Sequence, residues 1–367
     1  MNKILNNNQN KTKIDHKKNT LWKNKLSNLY QNKLALTAGI IIIILYLLAI
    51  FAPFFAPYNP TTNFKDKFFH PPTKIHFSDQ NGLRTPYIYK TEVKAGWAEY
   101  EINKDKKYSL KFFDKGDSYQ FLGLFESDIH LLGVEGDLPL FILGSDNYGR
   151  DLFSRILYGG RVSLFIGFVA IFITTFIGLI MGGISGYYGG FVDSIIMRAV
   201  EVIMSIPSFY LLLALAAVLP LDVSSSFRFF LIVSILAFQG WAGMARVIRG
   251  MVLSTKSEDY VKAAEAIGAD DKRIILKHIL PSTATYVIIR ATVAIPGYII
   301  MESGLSFIGL GIQEPSASWG NMLSAAQNIT KISDFPWLLL PGLFIFITVL
   351  SYNILGDGLR EALDPKY

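Results

Sequence analysis

Hydrophobic and polar residues follow one another along this chain in long blocks, not in the short periods of a soluble domain. Six apolar stretches are each long enough for the ~20-residue helix that crosses a bilayer core. They run from Leu34 to Phe55, Val162 to Ile184, Ser194 to Leu219, Phe229 to Met251, near Thr283 to Ile308, and Phe335 to Leu355. Pro53 and Pro57 end the first, while Pro207 inside the third removes a helical hydrogen bond and predicts a kink. Pro341 falls within the first turns of the sixth. The first run is too long, and too poorly followed by a small-residue cleavage site, for a removable signal peptide, so it reads as a retained span.

The polar blocks divide into three kinds. The opening MNKILNNNQNKTK is rich in Asn and Lys and reads as disordered, whereas TLWKNKLSNLYQNKL sets Trp22, Leu26, Leu29 and Leu34 near helical spacing, as a segment lying on the inner membrane surface would. From Tyr58 to Leu140 the composition turns mixed, with alternation in PYIYK and YSLKFF and Gly-Asp and Lys-Gly-Asp turn signals, which predicts a small β-rich insertion. Third, SEDYVKAAEAIGADDKRIILKHILP, from Ser257 to Pro281, reads as a helix, a glycine break and a second helix between two spans. Ala263, Ala264 and Ile267 share a face there by three- and four-residue spacing, and Gly268 lacks the Cβ that would resist a sharp turn or a close approach. Small residues in that arrangement suit a partner's groove.

Composition agrees with a membrane protein: 51% of the 367 residues are hydrophobic, 17% are charged, and the mean hydropathy is +0.34. The formal charge of +6 does not mark a nucleic-acid binder, because Lys and Arg gather in the first 33 residues and beside the spans, without an aromatic-basic pattern. Lys3, Lys11, Lys13, Lys17, Lys18, Lys23, Lys25 and Lys33 precede the first span against a single acid, Asp15, which predicts a cytoplasmic N-terminus. Six crossings then return the C-terminus and the Ser257–Pro281 segment to the cytoplasm and leave the insertion outside. The absence of cysteine excludes disulfides, thiolate metal sites and cysteine nucleophiles.

No Gly-Lys dipeptide occurs, so the phosphate-cradling loop is missing and the chain is not its own NTPase. HExxH is absent, the five histidines show no ligand spacing, and the serines of VSSSF at 223–227 read as an external turn, leaving no catalytic or metal constellation. Asp193 follows flexible glycines as an N-cap candidate, and Arg198 stands three residues before Glu201, a salt bridge or a gate. Glu302 is a functional candidate because an ionised group in hydrocarbon is costly. A helix from Pro281 carries it roughly 30 Å, near the outer interface, where pairing with a neighbouring subunit is the competing reading. Arg290 reads as snorkelling or pairing on the inner side. Phe209, Tyr210, Gln239, Trp241 and Tyr298 are candidates for lining a passage, against the alternative that they pack helices. Gly178, Gly182, Gly183 and Gly186 permit close helix approach in lipid, and GLGIQEPSASWG should break the helix into a structured outer mouth.

Four of these blocks carry a resemblance. The Ser257–Pro281 segment resembles the EAA loop of ABC importer permeases, with Ala263, Ala264, Gly268, Leu280 and Pro281 in the matching places and Lys262 and His278 where that pattern has Glu and Ile. LGSDNYGRDLFSRILYGGRVSLFIG from Leu143, ESGLSFIGLGIQEPSASWGNML from Glu302 and NILGDGLREALDPKY to Tyr367 resemble blocks of the dipeptide and oligopeptide permease C-type subunits. The resemblance implies an all-α polytopic membrane protein, a type I ABC importer permease with six transmembrane helices and an extracytoplasmic β-rich insertion after the first. The corresponding division is a basic N-terminus at 1–33, a span at 34–55, the insertion at 56–142, a pre-core segment at 143–161, the core at 162–356 with its coupling loop at 257–281, and a tail at 357–367.

What the resemblance implies about partners is a homologous second permease in a heterodimer, two ATP-binding subunits that carry ATP and Mg, and an extracytoplasmic substrate-binding protein, all in a bacterial inner membrane. The chain itself would bind no cofactor, metal or nucleic acid. Ala263, Ala264, Ile267, Gly268, Leu280 and Pro281 would couple it to the ATPase, and alternating access would move the substrate. Oligopeptides or dipeptides are the expected cargo, with nickel complexes or oligosaccharides as alternatives. The insertion would be a lid or spacer over the outer mouth, or a contact for the binding protein. An ion-coupled secondary transporter, the rival class, calls for paired buried carboxylates or inverted repeats, and neither is visible.

Overall fold

The computed structural model describes residues 29–79, 82–94, 98–121, 123–136, 138–218 and 223–363. Most of the predicted amphipathic segment around Trp22, and the last four residues, 364–367, lie outside the described residues. The first span is α1, Lys33–Ile50, started by Asn32, whose Oδ1 accepts the Ala35 N–H at 3.1 Å. Asn32 Nδ2 also donates to Glu361 at 3.1 Å, tying the start of α1 to the last helix. A short turn, α2 (Ala52–Phe55), with Pro53 in its first positions, leads into the insertion.

The insertion is a four-stranded antiparallel meander, β1 (His76–Asp79), β2 (Gly82–Val93), β3 (Tyr100–Phe121) and β4 (Phe125–Val134). β3 is long enough to pair with β2 along its first half, Tyr87 opposite Ser109, and with β4 along its second, Leu110 opposite Val134. Between Lys115 and Tyr119 the register slips, so a bulge bends the β3–β4 hairpin. Ile88, Leu110, Val134 and Leu140 form its small core.

The membrane part begins with α3, Leu152–Tyr188, whose 37 residues extend about 55 Å, well beyond a bilayer core. The third predicted span is not one kinked helix. It is two helices, α4 (Gly190–Ser205) and α5 (Ser208–Ala217), bent by 79° at the break before Pro207. Next comes α6, Ser225–Lys256, capped by Ser224, then a short α7, Asp259–Ala266. The rod α8, Asp271–Phe307, passes through a π-helical turn at Ile274–Ile279 and a 3₁₀ turn at Leu280–Thr283, which accommodates Pro281. The short α9 (Trp319–Leu323) and α10 (Ile329–Asp334) precede α11, Leu340–Leu363. Among the described residues, five helices are long and apolar enough to cross a membrane, and the bent pair supplies a sixth.

The glycines of α3 set its distance to α6. A Cβ on Gly178 would lie 2.5 Å from Met244 Cγ, on Gly182 2.6 Å from the Ala245 carbonyl, and on Gly186 2.7 Å from Val252 Cβ. Leu164 and Ile171 of α3, Ile295 and Ile299 of α8, Trp319 and Tyr352 form a shared core. Trp319 satisfies its buried indole N–H by donating to the Ile156 carbonyl at 2.9 Å.

Candidate functional site

The segment from Ser257 to Pro281 is built on a helix stop. α7 ends in a Schellman motif, with Ala269 N–H donating to Ala264 O at 3.1 Å and Gly268 N–H to Glu265 O at 2.9 Å. Gly268 takes φ +82°, the left-handed backbone that favours glycine, and no atom lies within 4 Å of where its Cβ would stand. The face read from spacing divides here. Ala264 is buried, whereas Ala263 is exposed and Ile267 is 85% exposed. The helix turns Val261 and Ala264 inward, and Val261 packs with Ile248, Val252, Ile274 and Ile279. Leu280 is half-buried against that cluster and Pro281 is exposed.

Two residues that sequence reasoning passed over fasten this segment to the spans. Tyr187, at the end of α3, donates its hydroxyl to Asp271 Oδ1 at 2.8 Å. Lys256, at the end of α6, donates to the Tyr187 carbonyl at 2.7 Å and sits 4.7 Å over its ring. The signals were the aromatic pair in GYYGG and a lysine at a helix C-terminus, where a cation is favoured. His278, standing where the resembled pattern has Ile, lends its carbonyl to the Tyr260 hydroxyl at 3.4 Å.

The candidate passage residues do not form one cluster. Arg198 and Glu201 pair at 3.1 Å on an exposed face of α4. Asp193 lies in the first turn of that helix and is not its N-cap, a place held by Gly189. It accepts both Nε and Nη2 of Arg249 at 2.5 Å and the Ser185 hydroxyl at 2.5 Å, joining α3, α4 and α6. Phe209 and Tyr210 are exposed on α5. Gln239 donates to the Ile206 carbonyl at 2.7 Å, satisfying a backbone group that the break at Pro207 strands. Trp241 is buried with Val200, Ala242 and Ala245, so within this chain it packs helices. Tyr298 shares a 3.1 Å hydrogen bond with Thr174, and a Cβ on Gly240 would run into its hydroxyl.

Glu302 is fully buried within this one chain. Its carboxylate accepts the hydroxyls of Ser306 at 2.7 Å, Ser163 at 3.1 Å and Ser303 at 3.4 Å. Ser163 in turn accepts the Trp319 N–H at 3.1 Å. The serines replace the water that burial removes, and they bind α3, α8 and α9 together.

A second constellation, with Asp146, Arg150 and Arg155 buried and Glu314 at its exposed edge, joins two sequence blocks more than 150 residues apart. Arg150 donates through Nε to Asp146 at 2.7 Å and through both Nη to Glu314, and Arg155 reaches the same Glu314 at 3.0 Å. Arg155 is 1% exposed and also donates to the Pro60 and Pro315 carbonyls, at 3.1 and 3.3 Å. Two guanidinium groups thus balance two carboxylates and lock the GRD segment to the EPSASW loop. Neighbouring Asp151 caps α3 by accepting the Ser154 N–H at 2.7 Å, and burial pushes its carboxyl up to about 7. Nearby in the insertion, His70 bridges Pro71 O at 2.6 Å and Thr91 Oγ1 at 2.7 Å, and burial with the Lys67 charge holds it down at about 4. Among the described residues no group of His, Asp or Glu converges to hold a metal.

The family described as binding-protein-dependent transport system inner membrane component matches residues 163–367, and the N-terminal TM domain of oligopeptide transport permease C matches residues 20–72. The chain is 34% identical over 358 residues to the oligopeptide transport system permease protein OppC of Bacillus subtilis, covering 96% of this chain and 92% of that one. It is 44% identical over 225 residues to the dipeptide transport system permease protein DppC of Bacillus subtilis, covering 61% of this chain and 68% of the relative. To the OppC of Haemophilus influenzae it is 42% identical over 224 residues, covering 61% and 70%. A chain from the crystal structure of an amino acid ABC transporter with histidines overlays 55% of this chain and 91% of its own length at TM-score 0.41 and 18% identity.

Proposed function

This chain belongs to the binding-protein-dependent transport system inner membrane components, in the oligopeptide and dipeptide permease C branch, and on that premise we propose that it passes peptides across the membrane in an ATP-driven importer. It is a multi-pass inner-membrane subunit that works with ATP-binding and substrate-binding components. Its membrane partner is a second, homologous permease, and two ATP-binding subunits carry the nucleotide and Mg. Both termini face the cytoplasm, a reading supported by the eight lysines against one aspartate before α1. Neither nickel complexes nor oligosaccharides are named for the relatives above.

The observation that carries the coupling is the exposed ridge of Ala263 and Ile267 ending at left-handed Gly268, held between two bilayer-long helices, α6 and α8. Val261 and Ala264 anchor that ridge from beneath, so a push from an ATPase on the ridge would move the ends of α3, α6 and α8 together. The exposure of Arg198, Glu201, Phe209 and Tyr210 supports them as the groups that would line the passage. The test is uptake of a labelled oligopeptide into vesicles holding both permeases and both ATPases, with the binding protein added outside. Uptake should require ATP and the binding protein, and the purified chain alone should hydrolyse none. Uptake driven by an ion gradient without ATP would replace this reading with the secondary transporter.

A further inference from the structure

Apart from Leu34 at its start, the exposed large apolar residues of α1 are Ile40, Ile43, Ile44 and Leu47, continued by Phe51 just past its end. Their three- and four-residue spacing makes one stripe along the helix, the face a membrane-crossing helix presents to hydrocarbon. Phe51 closes the stripe at the end that leads into the insertion. Its ring lies 5.3 Å from that of Phe121, the last residue of β3, and the Phe54 ring lies 6.2 Å from that of Phe113. Phe121 in turn stacks at 5.2 Å on Phe125, the first residue of β4. The end of the hairpin is therefore joined to the lipid-facing stripe by a run of aromatic rings.

What the hairpin presents beyond those rings is apolar. Leu124 is 80% exposed and Phe125 is exposed beside it at the turn, while Phe112 and Phe113 are exposed further back along β3, where Phe112 lies opposite Leu132. Burying one such side chain is worth roughly 1.5–3 kcal/mol relative to water, so leaving several together in water at one tip is a large deficit. Charged groups interleave with these side chains: exposed Glu126 follows Phe125, opposite Gln120, and Lys115, paired to Asp128 at 3.3 Å, lies between the tip and Phe113. Aromatic and aliphatic groups with polar and charged neighbours match the composition of a membrane–water interface.

We propose that the tip of the β3–β4 hairpin, Phe121, Leu124 and Phe125, seats in the phospholipid interface beside the end of α1. The bilayer is its partner. The insertion is then moored to the membrane at this corner, and the bulge between Lys115 and Tyr119 bends the hairpin so that its tip meets lipid. The inference rests on the membrane reading only in requiring α1 to cross a bilayer, and its test reads no transport.

Because the chain has 0 cysteines, a single substitution such as Leu124→Cys or Phe125→Cys carries a unique spin label. The assembled transporter, its partner subunits stripped of cysteine, is reconstituted in phosphatidylcholine–phosphatidylglycerol vesicles. Collisions with oxygen, which concentrates in lipid, are compared with collisions with a water-soluble nickel chelate. Ile43→Cys on the α1 stripe supplies the lipid reference, and Lys104→Cys in the charged NKDKK run supplies the water reference. The oxygen-to-nickel ratio at 124 and 125 should shift to the lipid reference. A ratio equal to that at 104 would place the tip in water, and shielding from both reagents would place it under protein; either overturns the proposal. If labelled chains fail to assemble, Leu124→Trp gives a second reading, in which the added emission should be quenched by lipids brominated near the carbonyl region. No quenching would again overturn it.

Discussion

The arginine cluster at the start of α3 and the Ser257–Pro281 segment treat their polar and apolar groups in opposite ways. In the cluster, Arg150 and Arg155 are almost wholly buried, and each carboxylate they meet belongs to this chain. In the segment, Ile267 is 85% exposed, Ala263 is exposed, and the space about Gly268 is empty. One region pairs its charges within the chain, and the other leaves an exposed apolar ridge, the surface that the proposed docking would cover. Damage to the first should therefore appear as lost stability, and damage to the second as lost association.

The largest effect is expected from Arg155→Ala, which removes a nearly fully buried guanidinium and its hydrogen bonds to Glu314 and to the Pro60 and Pro315 carbonyls, while Asp146 keeps Arg150. Losing charge-assisted hydrogen bonds of this kind costs about 1.5–3 kcal/mol. Thermal unfolding in lipid nanodiscs should show that loss, and Arg155→Lys should recover only part of it, since an ammonium lacks the fork that reaches several acceptors.

His70 sharpens the comparison through pH. Its ordinary pKa of 6.5 falls to about 4 in the fold, so the folded protein holds it neutral while the unfolded chain takes up a proton below 6.5. The stability it contributes is complete above pH 6.5 and is lost as the pH falls toward 4, amounting to about 2 kcal/mol at pH 5. Protection factors in the insertion, taken relative to the intrinsic amide exchange rate at each pH, should fall between pH 7 and pH 5, and His70→Gln should flatten the fall. An unchanged slope in that variant would assign the effect to other groups.

Gly268→Leu should behave in the other manner. Nothing in the chain occupies the space its side chain would enter, so beyond the backbone strain of a left-handed residue, about 1–2 kcal/mol, the misfit falls on the partner. Membrane insertion should stay near normal while ATPase co-purification drops more than tenfold, the equivalent of about 1.4 kcal/mol. Loss of the chain from the membrane, with no separate loss of association, would make Gly268 a folding residue only.

Block hydropathy revealed the spans because about 20 apolar residues in series have few other uses. Alternation in YSLKFF and PYIYK likewise exposed the β-rich insertion. Pro207 signalled a disturbance but not a 79° break, since the missing hydrogen bond does not state how far the two helices swing. The ridge was misread at Ala264 because three- and four-residue spacing defines neighbours on a helix, while tertiary packing decides which neighbour faces inward. Counting helical rise places Glu302 near one end of α8, but its serine partners on α3 and α8 were not legible, because Ser163 is a contact across 139 residues. The pairing of Arg150 and Arg155 with Glu314 was illegible for the same reason, being a contact across more than 150 residues that local pattern cannot carry.

The central claim, that the Ala263–Ile267 ridge is where an ATPase docks, is tested most directly at Ile267 itself. In a chain with 0 cysteines, Ile267→Cys accepts one photo-activated cross-linker in the assembled, membrane-embedded complex. Illumination should join this chain to an ATP-binding subunit, and the same label at Leu124 should not. Capture of lipid or of the other permease at 267, with no ATP-binding subunit attached, would contradict the account.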